Sequence, residues 1–345
     1  MPDLATVDIY APAFWLPPLW ALVLGAAVTL YVVLDGFTLG LGILFPLSPE
    51  EERRDVMMNS VAPFWDGNGT WLVLGGGGLF VAFPKAYAII MPALYLPIII
   101  MLLALVFRGV AFEFRWVAKP HHRKWDFAFA WGSIVATFMQ GVILGGLLQG
   151  VAITGSAFSG GPLDWLTPFP IAVGMILVFG YALLGATWLV MKTEGEIAEA
   201  ARYQALAALP VVLGGMALVS LWTPYALPRI AERWFTWPNI VYLAPVPILT
   251  ALVAFVCWRS LQSRRDTLPF VSAIGLFLLG LTGLVISNAP YLVPPSMTVW
   301  DAAADAKSQM FSIIGVAIML PVVLGYTAFV YWTFRGKVRI GEGYH

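Results

Sequence analysis

Two carboxylic acids, Asp35 and Asp66, lie inside apolar runs long enough to cross a bilayer. A lone carboxylate in hydrocarbon is expensive, so such residues face protein or water and often mark ion routes. Asp35 stands in Leu34-Asp35-Gly36-Phe37, roughly 16 Å from the C-terminal end of its run at a helical rise of ~1.5 Å per residue. It has two readings. Either it relays protons, or it cross-links helices through a buried hydrogen bond, beside the close-packing pair Gly36-x-x-x-Gly40. Asp66 stands one to two turns into the next run, in Pro63-Phe64-Trp65-Asp66-Gly67-Asn68-Gly69-Thr70-Trp71. Small and polar residues between the indoles of Trp65 and Trp71 could admit water there, with Asn68 among them, and a carboxyl so placed could pass protons on.

The histidines bear on a different chemistry. There are three, His121, His122 and His345, and none falls in an apolar run. Haem in a membrane bundle is usually held by His, or by His with Met. Met101, Met139 and Met175 therefore have no such partner and read as core filler. The chain is expected to ligate no haem, and no metal, through its own side chains. Its single cysteine, Cys257, sits in an apolar run and offers no metal-ligand pair.

Three polar or glycine-rich features remain. Gly75-Gly76-Gly77-Gly78 lacks the lysine of a phosphate loop. It suits the close approach of another helix or of a cofactor-bearing partner. Gly141-x-x-x-Gly145 and Gly146-x-x-x-Gly150 read as packing pairs. Gln140 and Gln149 either bond across helices or contact a quinone.

The elements that must position these residues follow from composition. The chain is 60% apolar and only 11% charged, against about 25% charged in an ordinary soluble domain. Aromatics reach 14%, many near the ends of apolar runs, as interfacial belts require. A formal net charge of zero offers no basic surface for nucleic acid. Nine segments match the roughly 20 apolar residues of a span: 17–46, 61–84, 86–108, 127–150, 168–191, 203–222, 239–258, 268–289 and 309–334. The expected fold is an all-α polytopic membrane protein of nine transmembrane helices, a single integral membrane domain over 1–345. Ser48-Pro49-Glu50-Glu51 predicts a capping box opening a short helix between the first two spans. No basic stretch precedes the first span, so that span reads as a permanent helix rather than a cleaved signal.

Lysine and arginine set the orientation, because they concentrate on the cytoplasmic side. With the N-terminus outside, 15 of the 19 basic residues fall in cytoplasmic segments and 4 in outer ones. None is assigned deep in a span, Arg108 being placed at the cytoplasmic end of the third. The expected topology is a periplasmic N-terminus and a cytoplasmic C-terminus. No loop is long enough for a nucleotide-binding module, so energy must come from an ion gradient, a redox reaction or another subunit.

The motifs as a set resemble subunit II of the cytochrome bd-type quinol oxidases, including the cyanide-insensitive branch. They run in order from Leu34-Asp35-Gly36-Phe37-Thr38-Leu39-Gly40 and Arg53-Arg54 to Asn59-Ser60-x-Ala62-Pro63-x-Trp65-Asp66-Gly67-Asn68, Trp71-Leu72, Phe107-Arg108, Leu148-Gln149-Gly150, Glu194-Gly195-Glu196 and Thr298-Val299-Trp300-Asp301-Ala302. The resemblance implies two four-helix bundles plus one helix, with halves 17–150 and 168–289 and the last helix 309–334. It implies a bacterial inner-membrane heterodimer with a subunit I of homologous fold. Subunit I would carry haem b, haem d and the quinol-oxidising loop, with quinol and O2 as substrates of the complex. This chain would ligate no haem. It would stabilise its partner and line proton, and in some members oxygen, routes at Asp66, Asp35, Trp65, Asn68 and Trp71. Some members hold a structural quinone in this subunit, and a small single-helix third subunit is compatible with the pattern. Two positions depart from relatives: Phe64 replaces a His found in some, and Thr38 a second Asp found in many. Fewer titratable groups remain for a proton path.

A proton-coupled secondary transporter is the alternative, since paired intramembrane acids and glycine-broken helices also suit that class. Such a protein should show matched broken helices in an internal repeat, and no convincing repeat is found. A purely structural scaffold for a haem-bearing partner is a third reading, distinguished by whether Asp66 matters for turnover.

Overall fold

The structure is a computed structural model that describes residues 10–118, 122–339 and 341. Fourteen helices are found among them: α1 Pro12–Leu44, α2 Glu51–Asn59, α3 Trp65–Ala82, α4 Pro84–Ala93, α5 Tyr95–Val117, α6 Arg123–Gln149, α7 Pro168–Lys192, α8 Gly195–Ala226, α9 Pro228–Phe235, α10 Asn239–Leu243, α11 Pro245–Gln262, α12 Leu268–Asn288, α13 Val299–Ala302 and α14 Ala306–Thr333. Two small antiparallel hairpins cap one end. They pair β1 Ile153–Thr154 with β2 Ala157–Phe158, and β3 Tyr291–Val293 with β4 Met297–Thr298.

Eight described helices or helix pairs are long and apolar enough to cross a membrane, against the nine expected. The difference falls on the second segment. Expected over 61–84, it forms only the 18-residue α3, whose first turns are the polar Asp66-Gly67-Asn68-Gly69-Thr70. The third segment, expected over 86–108, is α4 and α5, broken at Leu94 between Pro92 and Pro97. The expected capping box is absent. Glu50, not Ser48, precedes α2 and makes no side-chain cap, while the Ser48 hydroxyl turns to the Met57 sulfur at 3.2 Å. A capping box does form further on, where Thr298 and Asp301 reciprocally satisfy the first turn of α13.

Helix α7 is the most enclosed long helix, and α1, α6, α8 and α12 pack around it. Glycine makes this possible. A Cβ on Gly40 would collide with the backbone carbonyl of Tyr181, and one on Gly141 would come within 2.6 Å of the Gly174 Cα. Backbones at this range exchange dispersion contacts along their length, which is how helices associate in lipid. The main core joins Phe37, Leu41, Leu44, Phe129, Leu183, Trp188 and Leu209 across α1, α6, α7 and α8. Cys257 is fully buried in the second half, its thiol 3.8 Å from the Pro269 carbonyl oxygen.

Candidate functional site

Asp35 is buried, and its partner is a residue the sequence placed elsewhere. The Arg108 guanidinium, expected at the cytoplasmic end of its span, lies inside α5 with its Nη2 3.3 Å from Asp35 Oδ1. Both side chains are under 7% exposed. A buried carboxylate and guanidinium are each costly alone, and pairing across α1 and α5 offsets part of that cost, with Arg108 Nε left without a hydrogen-bond partner among the described residues. The cytoplasmic tally of basic residues drops by one, which leaves the asymmetry intact.

Hydrogen bonds converge on Asp35. Arg108 Nη2 donates to Thr38 Oγ1 at 2.6 Å, and Thr38 Oγ1 donates to Asp35 Oδ1 at 2.5 Å. From the other side, Tyr181 OH donates to Gln140 Oε1 and Gln140 Nε2 donates to Tyr31 OH, both at 2.9 Å. Tyr31 stands one helical turn before Asp35 on α1. Thr38 and Arg108 reach the carboxylate itself, and the two sets of contacts together tie α1, α5, α6 and α7. Thr38 places a neutral hydroxyl between acid and base. Sequence reasoning missed Arg108, Tyr31 and Tyr181. Only the spacing of Phe107-Arg108 short of the end of an apolar run signalled the first.

The arrangement settles the polar contacts of Gln140. Its oxygen and its nitrogen are both engaged within this chain. Gln149 lies apart, near the β1–β2 end, and accepts from Thr167 Oγ1 at 2.7 Å.

Helix α3 carries the remaining candidates on two faces. Its inner face is fixed: Asn68 Nδ2 donates to the Leu34 carbonyl at 2.7 Å, beside Asp35, and Trp71 is 1% exposed against Ala27 and Tyr31. Trp65 stacks on Phe112 of α5 with centroids 4.8 Å apart. Phe64 stacks on Tyr331 of α14 at 4.4 Å. The outer face is open. Asp66, Gly67 and Thr70 are exposed, and a Cβ on Gly67, Gly69, Gly76 or Gly77 would meet nothing within 4 Å. Asp66 is therefore not walled between the indoles of Trp65 and Trp71; it points away from this chain.

Helix α14 flanks this open face and is fastened at both ends. Near its start, buried Gln309 donates to the Ala82 carbonyl at 2.8 Å and accepts, through its own carbonyl, the Trp20 indole N–H at 3.2 Å. Past its end, Lys192 Nζ donates to the carbonyls of Phe334 and Gly336. Between these ties, no residue of its most apolar stretch is buried.

At the end of the bundle where α2 meets α6, a second charge cluster forms. Asp126 accepts from Arg54 Nη1 and Arg115 Nε at 2.6 Å each, and Arg115 Nη1 also donates to Asp55 at 2.5 Å. Arg115 is fully buried. His122 lies beside Asp126 and Glu51 at 3.9 and 3.6 Å. His121 and His345 fall outside the described residues. Among the described residues, no group of three or more His, Cys, Asp or Glu side chains could hold a metal ion.

Comparison with known proteins supplies the remaining context. The sequence profile of the family described as cytochrome bd terminal oxidase subunit II matches residues 16–334. The chain is 29% identical to cytochrome bd-I ubiquinol oxidase subunit 2 of Escherichia coli K12, covering 93% of this chain and 94% of that one. It is also 29% identical to cytochrome bd ubiquinol oxidase subunit 2 of Bacillus subtilis, covering 94% and 97%. Its fold superposes on a chain of the bd oxidase from Geobacillus thermodenitrificans with a TM-score of 0.78 at 17% identity, covering 93% and 98%.

Proposed function

The chain belongs to the cytochrome bd terminal oxidase subunit II family, and from that premise we propose that it stabilises a haem-bearing subunit I in a bacterial inner-membrane quinol oxidase and delivers protons to it through Asp66. The observation that carries this is the open outer face of α3. A carboxyl, a hydroxyl and four glycines cannot face hydrocarbon without cost. A protein surface must cover them, and the unburied α14 beside them extends the same docking area. Asp66 then lies at the junction of two subunits, where water can reach a carboxyl from the aqueous side.

Asp35 has a different part in this reading. Paired with Arg108 and receiving a hydrogen bond from Thr38, it is a structural carboxylate that locks α1 to α5. Asn68 transmits that rigidity to α3 through the Leu34 carbonyl. Trp65 and Trp71 hold the inner face of the same helix, so Asp66 is presented outward at a fixed height. Trp71 packs tightly against Tyr31 and lines the wall of any oxygen route along α1 and α3.

Haem b and haem d would supply electron transfer and oxygen reduction from subunit I. The one described histidine, His122, lies against Glu51 and Asp126, which supports placing the haems on subunit I. Gln140 is spent on two tyrosines, which removes the polar contact it would lend a structural quinone. Ubiquinol is the substrate named for the E. coli and B. subtilis relatives, and a quinol is the reductant proposed here. The remaining basic asymmetry supports a periplasmic N-terminus and a cytoplasmic C-terminus, with α3 counted as the ninth crossing. A proton-coupled transporter finds no support once the family is known.

The test is turnover per haem of the purified two-subunit oxidase carrying Asp66→Asn. Slower turnover with normal haem content supports proton delivery. A wild-type rate across neutral and alkaline pH makes Asp66 a packing residue of the subunit junction.

A further inference from the structure

Far from α3, two arginines share one face of a short helix at a membrane boundary. Helix α8 has 32 residues, or about 48 Å of rise, well beyond the ~30 Å hydrocarbon thickness. Its first turns carry Glu196, Glu199 and Arg202, and the remaining stretch to Ala226 is about as long as the bilayer is thick, which puts the next helix, α9, near the lipid headgroups. Its sequence, Pro-Arg-Ile-Ala-Glu-Arg-Trp-Phe, buries Ile230 to 2% exposure and leaves Phe235 62% exposed. Trp237 and Tyr242 just beyond are 80% and 74% exposed. These rings form an interfacial belt.

Arg229 and Arg233 stand one turn apart on α9 and are only half-exposed. Like charges at this spacing repel. Burial, and then the neighbouring Arg233 charge, lower the proton affinity of Arg229. Yet among the described residues neither guanidinium has a carboxylate within 4.0 Å, Glu232 included. Their partners are neutral: Arg229 Nη2 donates to Asn288 Oδ1 at 3.1 Å, and Arg233 Nη1 donates to the carbonyls of Ile286 and Ala289. Those groups belong to the C-terminal end of α12. Its partial charge of about −0.5 cannot balance two guanidiniums. Each arginine keeps donors outside these bonds, and a guanidinium fork matches a phosphate.

We propose that Arg229 and Arg233 form a headgroup site for the phosphate of an anionic phospholipid, with Phe235, Trp237 and Tyr242 against the adjoining lipid. The occupant is a lipid rather than a free anion because exposed rings follow the charged pair directly along the chain, where a headgroup site would adjoin acyl chains. In the proposed topology this is the outer leaflet. Trp234, whose indole N–H donates to Ser287 Oγ at 2.9 Å, anchors α9 so that both arginines keep their direction.

The experiment uses the intact two-subunit oxidase, stripped of lipid in mild detergent and titrated with short-chain phosphatidylglycerol, with phosphatidylcholine of the same chain length, and with inorganic phosphate. Bound lipid is counted by native mass spectrometry. Phosphatidylglycerol should bind the wild-type complex in preference to phosphatidylcholine, and Arg229→Gln/Arg233→Gln should weaken it by about tenfold or more. Raising the salt concentration should weaken it in the wild type. Equal binding to wild type and double variant overturns the proposal. So does equal binding of the two lipids, or displacement by equimolar inorganic phosphate, which would make this a small-anion site. Should the double variant not assemble, Arg229→Lys and Arg233→Lys keep the charge and lose the fork, and each should bind more weakly than wild type. Loss of subunit I from these variants, with no lipid preference in the wild type, would assign the arginines to an acid of the partner and overturn the lipid site.

Discussion

Arg108 Nη2 sits 3.3 Å from Asp35 Oδ1, with both side chains buried and the Thr38 hydroxyl bridging them. The pair joins α1 to α5 at a depth where neither charge could stand alone. Arg108→Met removes one charge and strands the other. Breaking a buried pair in this way costs about 3–5 kcal/mol, so the yield of assembled, haem-containing oxidase should fall sharply. Asp35→Leu/Arg108→Met, which leaves no charge behind, should recover part of that yield. Haem per milligram of membrane protein is the readout, and a double variant worse than both single variants would argue against a mutually compensating pair.

The glycines divide into two groups by what they face, and substitution should separate them. Gly40→Ala drives a methyl into the Tyr181 carbonyl, and Gly185 offers no room to yield. Overpacking of this kind costs about 1–3 kcal/mol, and thermal stability of the complex should fall. Gly76→Ala meets nothing within this chain and gains about 1 kcal/mol of helix propensity. Its effect should appear instead in the retention of subunit I, measured as the ratio of the two subunits after a detergent wash. Unchanged retention of subunit I in Gly76→Ala would show that the outer face of α3 is bare in the complex.

How much of this was legible in the sequence depends on the kind of residue. Hydropathy runs located the long helices because burial in lipid demands an unbroken apolar stretch. The pairs Gly36/Gly40 and Gly141/Gly145 announced helix contacts because only glycine lets backbones approach so closely. Arg108 was misplaced because a run of hydropathy registers a charge as an end, while a paired arginine continues the helix. Asp66 was expected between two indoles, since sequence order alone does not say which face of α3 a residue occupies. Trp71 is five residues, about 1.4 turns, from Asp66, so the two point to different sides: Trp71 faces inward and Asp66 out. The Ser48 capping box failed because a proline and a second glutamate moved the start of α2, and the hydroxyl found Met57 instead.

At the end of the bundle opposite the α2–α6 cluster, Asp301 lies outside the long spans and closes a capping box with Thr298. The Thr298 hydroxyl and backbone N–H, in that order, hold its carboxyl below the ordinary aspartate range. A depressed folded value means that its contribution is present above the unfolded pKa of about 3.9 and is lost as pH falls through the folded value. The segment carrying β3, β4 and α13 should therefore loosen below about pH 4. Thr298→Val should remove that acid dependence along with the cap. Amide hydrogen exchange of residues 291–302 against pH would show it, and an unchanged acid limb in the variant would remove Asp301 as its source.

The two intramembrane acids should fail in different ways when neutralised. Asp35→Asn keeps the shape of the side chain but removes the negative partner of Arg108, leaving a buried guanidinium. The damage should fall on assembly, and the complex that survives should turn over at close to the normal rate per haem. Asp66→Asn removes nothing that holds this chain together, because its carboxyl is exposed. Assembly and haem content should persist while turnover falls, since an amide cannot exchange a proton at neutral pH. A tenfold loss corresponds to about 1.4 kcal/mol on the limiting barrier. Asp66→Glu retains a titratable group and should keep more activity than Asp66→Asn. Turnover and assembled yield, measured for all three variants in one membrane preparation, separate the roles. If Asp35→Asn instead assembles normally and is slow per haem, Asp35 with Thr38 and Arg108 is itself part of the proton route. Asp66 would then be only a polar contact of the subunit junction.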